Sequence, residues 1–353
     1  MKERLILAAV ALLTMILIPT GKAQGQKEPT KMKPAVLYIE DPAEDSAEDA
    51  ELPSQEQTSI RLLHDGTVAQ YPEEAYLAAV VLCEMPPDFE SEALKAQAVA
   101  ARTFAYKQMQ HGKHENADVC ADPGCCQAWM DEAALRKKYK DRYDEVYEKA
   151  MTAIRETVGE VLTYGGELID ATYFSCSGGS TEAAAEVWGS EVPYLQPVSS
   201  PGEEAAPRFF SQVIVDAETF RKTIEAATTQ AKLTGRPESW IGEIQATPGG
   251  GVGTMQIGGV EFSGTQLRKL FGLNSTSFTV SVSQEGFTFD VRGFGHRVGM
   301  SQYGADNMAK QGFDYRSILL YYYQGVKIEK SLPHCCETGS AFLIRTGSEQ
   351  TSE

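Results

Sequence analysis

Residues 76–106 read YLAAVVLCEMPPDFESEALKAQAVAARTFAY, two apolar helical patterns separated by a double proline. The first helix opens at Pro72, where the missing N–H is harmless, and Glu73 and Glu74 complement its positive N-terminal end. It runs through Leu77, Val80 and Val81 until Pro86 and Pro87 stop it. Asp88 is the expected N-cap of the second helix, whose stripe Leu94, Ala98, Ala101 and Ala105 follows helical spacing. Alanines on such a stripe imply close contact between helices. Glu84 stands alone at the end of the first helix. There the negative end of the dipole and apolar neighbours would raise its pKa from about 4.3 toward the roughly 6–7 useful to a general acid. A Glu on an exposed last turn has the same local pattern.

Upstream, residues 60–68 suggest a short strand ending in an Asp65-Gly66 turn. At the N-terminus, Lys2 and Arg4 precede an apolar run over residues 5–18, and Gly21 and Ala23 follow at small-x-small spacing. That pattern is an export signal, either cleaved after Ala23 or retained as an anchor. Residues 24–58 are expected to stay extended. Seven acidic residues between Glu40 and Glu51, with no Lys or Arg among them, repel one another. Downstream of residue 106 come a cysteine-rich loop and a helical stretch over 132–158. A hairpin is then expected, with arms 161–164 and 168–174 around Gly165-Gly166. Strands are expected at 209–215, 241–247, 254–257 and 278–282 paired with 287–291, and helices at 217–227, 264–271 and 301–311. Helices first and strands later predict an α+β architecture, a helical catalytic region followed by a strand-rich antiparallel region, the two forming a cleft. The expected organisation is a signal or anchor (1–23), an acidic linker (24–58), one folded domain (59–336) and a loose tail (337–353).

The chain has 353 residues, 42% hydrophobic and 23% charged, an ordinary globular mix. Its formal net charge is −17, which argues against nucleic acid as a partner. Seven cysteines are too few for a disulfide scaffold but enough for one metal site.

His114, Cys120, Cys125 and Cys126 place one imidazole and three thiols around an Asp122-Pro123-Gly124 turn. Four such donors can close a tetrahedral zinc site of the structural kind, while an extracytoplasmic disulfide between Cys120 and Cys126 fits the spacing equally. Residues 293–304, GFGHRVGMSQYG, look like a phosphate loop but follow an antiparallel hairpin and lack a P-loop lysine. Their glycines instead suggest close backbone approach to a polymer or another segment. Ser175-Cys176-Ser177-Gly178-Gly179 is a similar tight loop. A triad of Ser177 and His296 with an acid has no G-x-S-x-G elbow behind it.

Together, residues 76–106, 173–198 (YFSCSGGSTEAAAEVWGSEVPYLQPV) and 293–328 (GFGHRVGMSQYGADNMAKQGFDYRSILLYYYQGVKI) closely resemble the stage II sporulation protein D family, in order and at compatible spacing. The resemblance implies an exported, commonly membrane-anchored peptidoglycan lytic transglycosylase. Such an enzyme acts on glycan strands already stripped of stem peptides, during septal wall remodelling in sporulation. It puts the catalytic glutamate on Glu84 and implies that Lys95 and Arg102, on the next helix, contact sugar or orient the acid. With Ser177, His296 and Gln302 of the two glycine-rich loops, they make up the expected substrate-binding set. The family's zinc branch resembles His-x5-Cys-x4-His-Cys, and this chain has Cys125 where that pattern has histidine. The implied ligands are therefore His114, Cys120, Cys125 and Cys126, around a structural Zn2+. The implied partner is the amidase and endopeptidase known as stage II sporulation protein P. A non-catalytic, wall-binding enhancer of an amidase is the alternative, though this chain carries no repeated wall-binding modules.

Overall fold

The computed structural model describes residues 58–331. The expected signal segment, nearly all of the acidic linker and the tail lie outside them. Among the described residues no helix is long and apolar enough to cross a membrane. The fold is α+β, as expected.

Strands β1 (Ser59–His64) and β2 (Thr67–Pro72) form a hairpin whose turn residues Asp65 and Gly66 both have positive φ, 47° and 75°. That is the turn chemistry that matches strand twist. The expected strand over 60–68 is thus two strands. Helices α1 (Glu73–Glu84) and α2 (Ser91–His111) follow. Twelve of the 21 residues of α2 are buried, because α1, α4 (Tyr143–Glu156), β4 (Glu160–Tyr164), α8 (Gln302–Lys310) and α9 (Tyr315–Tyr322) pack around it. A helix enclosed this way is the centre of a core rather than an amphipathic surface element.

Two boundaries differ from expectation, both for tertiary reasons. Asp88 does not cap α2; it is exposed and pairs with Arg142 at 2.6 Å. The helix starts at Ser91 because buried Phe89 packs on Tyr303 (4.9 Å between ring centroids) and the Asp306 carboxylate accepts the Glu90 N–H at 2.8 Å. The single helix expected over 132–158 is broken into α3 (Glu132–Tyr139) and α4 by a 3-10 turn at Lys140–Arg142, with Lys140 at φ 52°. The break lets Lys138 and Tyr139 donate to the Leu82 carbonyl at 2.9 and 2.6 Å. Those bonds satisfy an otherwise orphaned acceptor at the end of α1. Between α2 and α3, the short strand β3 (Val119–Cys120) pairs in parallel with β1.

After β4, strand β5 (Glu167–Leu168) turns back through Gly165-Gly166 but pairs for two residues only. The rest of the expected hairpin arm leaves. As β6 (Tyr173–Phe174) it pairs in parallel with β15 (Met300–Ser301), so the two glycine-rich segments come together. The short strands β7 (Gly179–Ser180) and β8 (Ser199–Ser200) pair around α5 (Ala184–Trp188). The last of the described strands, β16 (Lys327–Lys330), pairs with β4.

A second core lies under two three-stranded antiparallel sheets. One contains β9 (Phe210–Asp216), β14 (Gly286–Arg292) and β13 (Ser277–Val282); the other contains β10 (Ile241–Ala246), β11 (Val252–Ile257) and β12 (Val260–Ser263). Phe220 of α6 (Ala217–Ala227) stacks on Phe287, and Phe271 of α7 (Gly264–Phe271) stacks on Phe289. Both helices are locally specified. Asp216 caps α6, and Ser263 with Gln266 forms a capping box on α7.

Arg297 ties the sheets to the first core. It is 1% exposed, has φ 68°, and donates to the carbonyls of Ser177 (2.8 Å), Ser180 (2.9 Å) and Gly249 (2.6 Å), with Glu182 at 3.5 Å. Left without this guanidinium, Glu182 would be a buried, uncompensated charge. Arg297→Ala is therefore expected to destabilise the protein by about 3–5 kcal/mol, read as a lower urea midpoint. A shift no larger than that of a surface substitution would refute the assignment.

Candidate active site

Glu84 ends α1 and opens into a pocket of about 380 Å³ lined by residues of three distant segments, among them Cys126, Gln127, Tyr173, His296 and Gln302. Its Oε1 accepts the Ala128 N–H at 2.8 Å and its Oε2 accepts from Gln302 Nε2 at 3.3 Å. Gln302 Nε2 also donates to Gln97 Oε1 at 3.4 Å, which turns the amide nitrogen, not the oxygen, toward the carboxyl. Burial pushes the Glu84 pKa up; the bonds from Ala128 and Gln302 and the nearby Lys138 pull it back, and burial wins. Among the described residues, Glu84 is the only carboxylate lining this pocket.

A second relay runs beside it. Tyr76 OH donates to Gln127 Oε1 at 2.6 Å, and Gln127 Nε2 donates to Tyr173 OH at 2.8 Å. Since Tyr173 accepts there, its own proton is left to donate into the pocket. Burial holds the Tyr173 hydroxyl well above its ordinary pKa, so it stays protonated.

The loop that carries Gln127 and Ala128 also carries the His/Cys cluster. The donor atoms of His114, Cys120, Cys125 and Cys126 all lie within 4.8 Å of one another. His114 Nε2 is 3.3 Å from Cys126 Sγ and 3.7 Å from Cys125 Sγ, and the two sulfurs are 4.0 Å apart. Bonds of about 2.0–2.3 Å to one tetrahedral ion require similar spacings. All four residues can hold a metal, and none of the cluster's three cysteines is in a disulfide. Three structural features bring them together. Strand β3 sets Cys120 beside Leu63, Asp122 Oδ1 accepts the Gly124 N–H at 2.8 Å, and the Asp122 carbonyl accepts from Cys125 and Cys126.

Of the expected substrate contacts, Gln302 and His296 reach the Glu84 pocket. His296 Nδ1 accepts the Val298 N–H at 3.1 Å, and the ring lies against Phe174 and Trp188. Burial, with Arg268 adding, lowers its pKa to about 4, so it is neutral at ordinary pH. Lys95, Arg102 and Ser177 do not line this pocket. Lys95 pairs with Glu92 and Glu156, each at 2.6 Å, beside a different pocket. Arg102 is fully buried, paired with Glu73 at 2.6 Å and bonded to the Thr157 carbonyl at 2.8 Å. Ser177 is buried too, and its Oγ donates to Glu203, not to His296, so no Ser-His triad forms.

A family model described as stage II sporulation protein matches residues 64–164, the span that contains Glu84 and the His/Cys loop. The chain is 38% identical over 271 residues to Stage II sporulation protein D of Bacillus subtilis (strain 168), covering 75% of this chain and 76% of that protein. The chain belongs to the stage II sporulation protein D family. A second relative, Stage II sporulation protein D of Bacillus amyloliquefaciens, is 36% identical over 269 residues, with coverage of 75% and 76%. The Amidase enhancer of Bacillus subtilis (strain 168) is 29% identical over 304 residues, 71% of this chain but 40% of that longer protein.

Proposed function

We propose that this protein is a lytic transglycosylase of the sporulating cell wall, cutting the bond between N-acetylmuramic acid and N-acetylglucosamine in peptide-stripped glycan strands. The observation that carries the proposal is the one carboxyl group that lines its pocket among the described residues, raised in pKa and held by two donors. Protonated Glu84 gives its proton to the glycosidic oxygen as the bond breaks through an oxocarbenium-like state. As carboxylate it then takes the proton from the muramic acid's own C6 hydroxyl, which attacks C1 and closes a 1,6-anhydro ring. One group acts as acid and then as base, so the second carboxylate of ordinary glycosidases is unnecessary. A hydroxyl already within the sugar replaces an activated water. Tyr173 supplies a neutral donor beside Glu84, and Gln302 and Ala128 fix the carboxyl's orientation.

The metal is zinc in this reading. Held by His114, Cys120, Cys125 and Cys126, it would have no open position for chemistry and would cross-link the loop. Substrate reaches the enzyme outside the cytoplasm, after an amidase and endopeptidase of the stage II sporulation protein P type has removed the stem peptides.

Digestion of purified peptide-free strands, followed by mass spectrometry of the products, tests the reading. The expected products end in 1,6-anhydromuramic acid. Reducing ends would mean that water attacks and the intramolecular step is wrong. Intact strands, from protein shown to be folded and metal-loaded, would favour a non-catalytic enhancer of a partner amidase, the role that the name of the 29%-identical relative suggests.

A further inference from the structure

A second pocket, of about 470 Å³, opens on the solvent face of the β13–β14–β9 sheet, a volume typical of ligand sites. Its floor is set by register. Phe210, Arg292 and Ser277 form one cross-strand row; Asp290 and Thr279 of the next row also line the pocket, and Gln212 of that row flanks Asp290 outside the lining. The alternate residues Val213, Phe287, Phe289 and Val291 face the core. The outward row is unusual in two ways. Phe210 is 58% exposed on an otherwise largely polar face. Arg292 is exposed and makes no ion pair among the described residues. Asp290 beside it accepts from Gln212 Nε2 at 2.8 Å. An aromatic ring, a carboxylate–amide pair and an unengaged guanidinium fork suit a sugar that carries its own carboxylate.

A short run of chain links this pocket to the Glu84 site. Arg292 is followed by Gly293, Phe294 and Gly295, and the last two line the Glu84 pocket. Three Cα steps separate Arg292 from Gly295, at most ~11 Å. Arg208, also without an ion pair among the described residues, lies 4.6 Å over the ring of Phe294, which lines the Glu84 pocket. In a chain of net charge −17, cations so placed matter for an anionic polymer.

We propose that this sheet face is a distal glycan subsite in which Arg292 pairs with the free lactyl carboxylate of a muramic acid while the sugar stacks on Phe210. The inference rests on the glycan-strand reading above and deepens it. In a strand that still bears stem peptides, that carboxylate is consumed as an amide, so Arg292 selects peptide-free strands.

The test is binding, measured on the full chain carrying Glu84→Gln so that strands stay intact. Fluorescently labelled peptide-free strands are compared with the same strands after conversion of their lactyl carboxyls to methylamides. Free-acid strands are expected to bind about tenfold tighter, the scale of one charge-assisted hydrogen bond. Arg292→Ala should bring that ratio to about one and Arg292→Lys should restore part of it, whereas Phe210→Ala should weaken both strands alike. A ratio of one in the Glu84→Gln protein, or a ratio untouched by Arg292→Ala, overturns the proposal. An Arg292-dependent ratio, found where the unaltered protein makes no cut, would keep the subsite and reject the transglycosylase. Anhydro products with no such ratio would do the reverse.

Discussion

Glu84→Gln is expected to lower glycan cleavage by about 10²–10⁴-fold, the usual contribution of a positioned acid–base group, with the fold intact. Glutamine keeps the shape of the side chain and an oxygen to accept the Ala128 N–H, but it has no proton to give the leaving oxygen. Stability should hold or rise. Burial raises the Glu84 pKa, so in the native state the group binds its proton at pH values where the unfolded chain has lost it. Native protein then holds more protons than unfolded protein, and stability falls as pH rises from the unfolded value of about 4.3 to the raised folded value, beyond which it is level. The glutamine variant lacks that fall and should be the more stable form above the window. Activity has the same sign. The acid must be protonated at the start, so kcat/KM should decline as pH rises through the Glu84 pKa. His296, neutral down to about pH 4, should add no limb near neutrality. Cleavage at the parent rate by the glutamine variant would remove Glu84 from the mechanism.

Glu84 was visible in the sequence because its environment is built locally. An apolar helix that ends against two prolines leaves one carboxyl group beside hydrophobic neighbours. The hairpin of β13 and β14 was equally local, with Val282 opposite Phe287 as the alternation requires. The groups around Glu84 were not. Gln302 lies 218 residues away, and the Tyr76–Gln127–Tyr173 relay spans steps of 51 and 46 residues. No spacing rule carries such contacts, although Gln302 and Tyr173 stand in motifs that resemblance singled out. Arg102 shows the opposite failure. Its charge marks a polar helix face, but α2 is enclosed on all sides, and the guanidinium is spent on Glu73 and on carbonyls near the end of α4. Asp88 failed for a related reason: a good local cap lost to the Asp306 carboxylate, which holds Glu90 from another part of the chain.

Removing the metal should inactivate the protein without unfolding it. The His/Cys loop ends in Gln127, which orients Tyr173, and Ala128, whose N–H holds Glu84. Both groups stand one and two residues after Cys126, so an ion held by the four residues would fix their position. The cores do not depend on it. The hairpin of β1 and β2, the burial of α1 and α2, and the second core all lie outside the ligand set. Chelation, or Cys126→Ser, is therefore expected to lower cleavage by about 10²-fold, the loss that a misplacement of ~1 Å brings. Circular dichroism should stay native and the melting temperature should fall only modestly. Bound zinc should measure one ion per chain in the parent protein and be lost in the variant. Adding zinc back should restore the chelated protein but not Cys126→Ser. Cys125→His keeps four competent donors and should retain both metal and activity. If the metal-free protein cleaves strands at the parent rate, the loop holds Glu84 unaided and the cross-link is dispensable. If it unfolds instead, the ion stabilises the whole domain and its effect on Glu84 cannot be separate from folding.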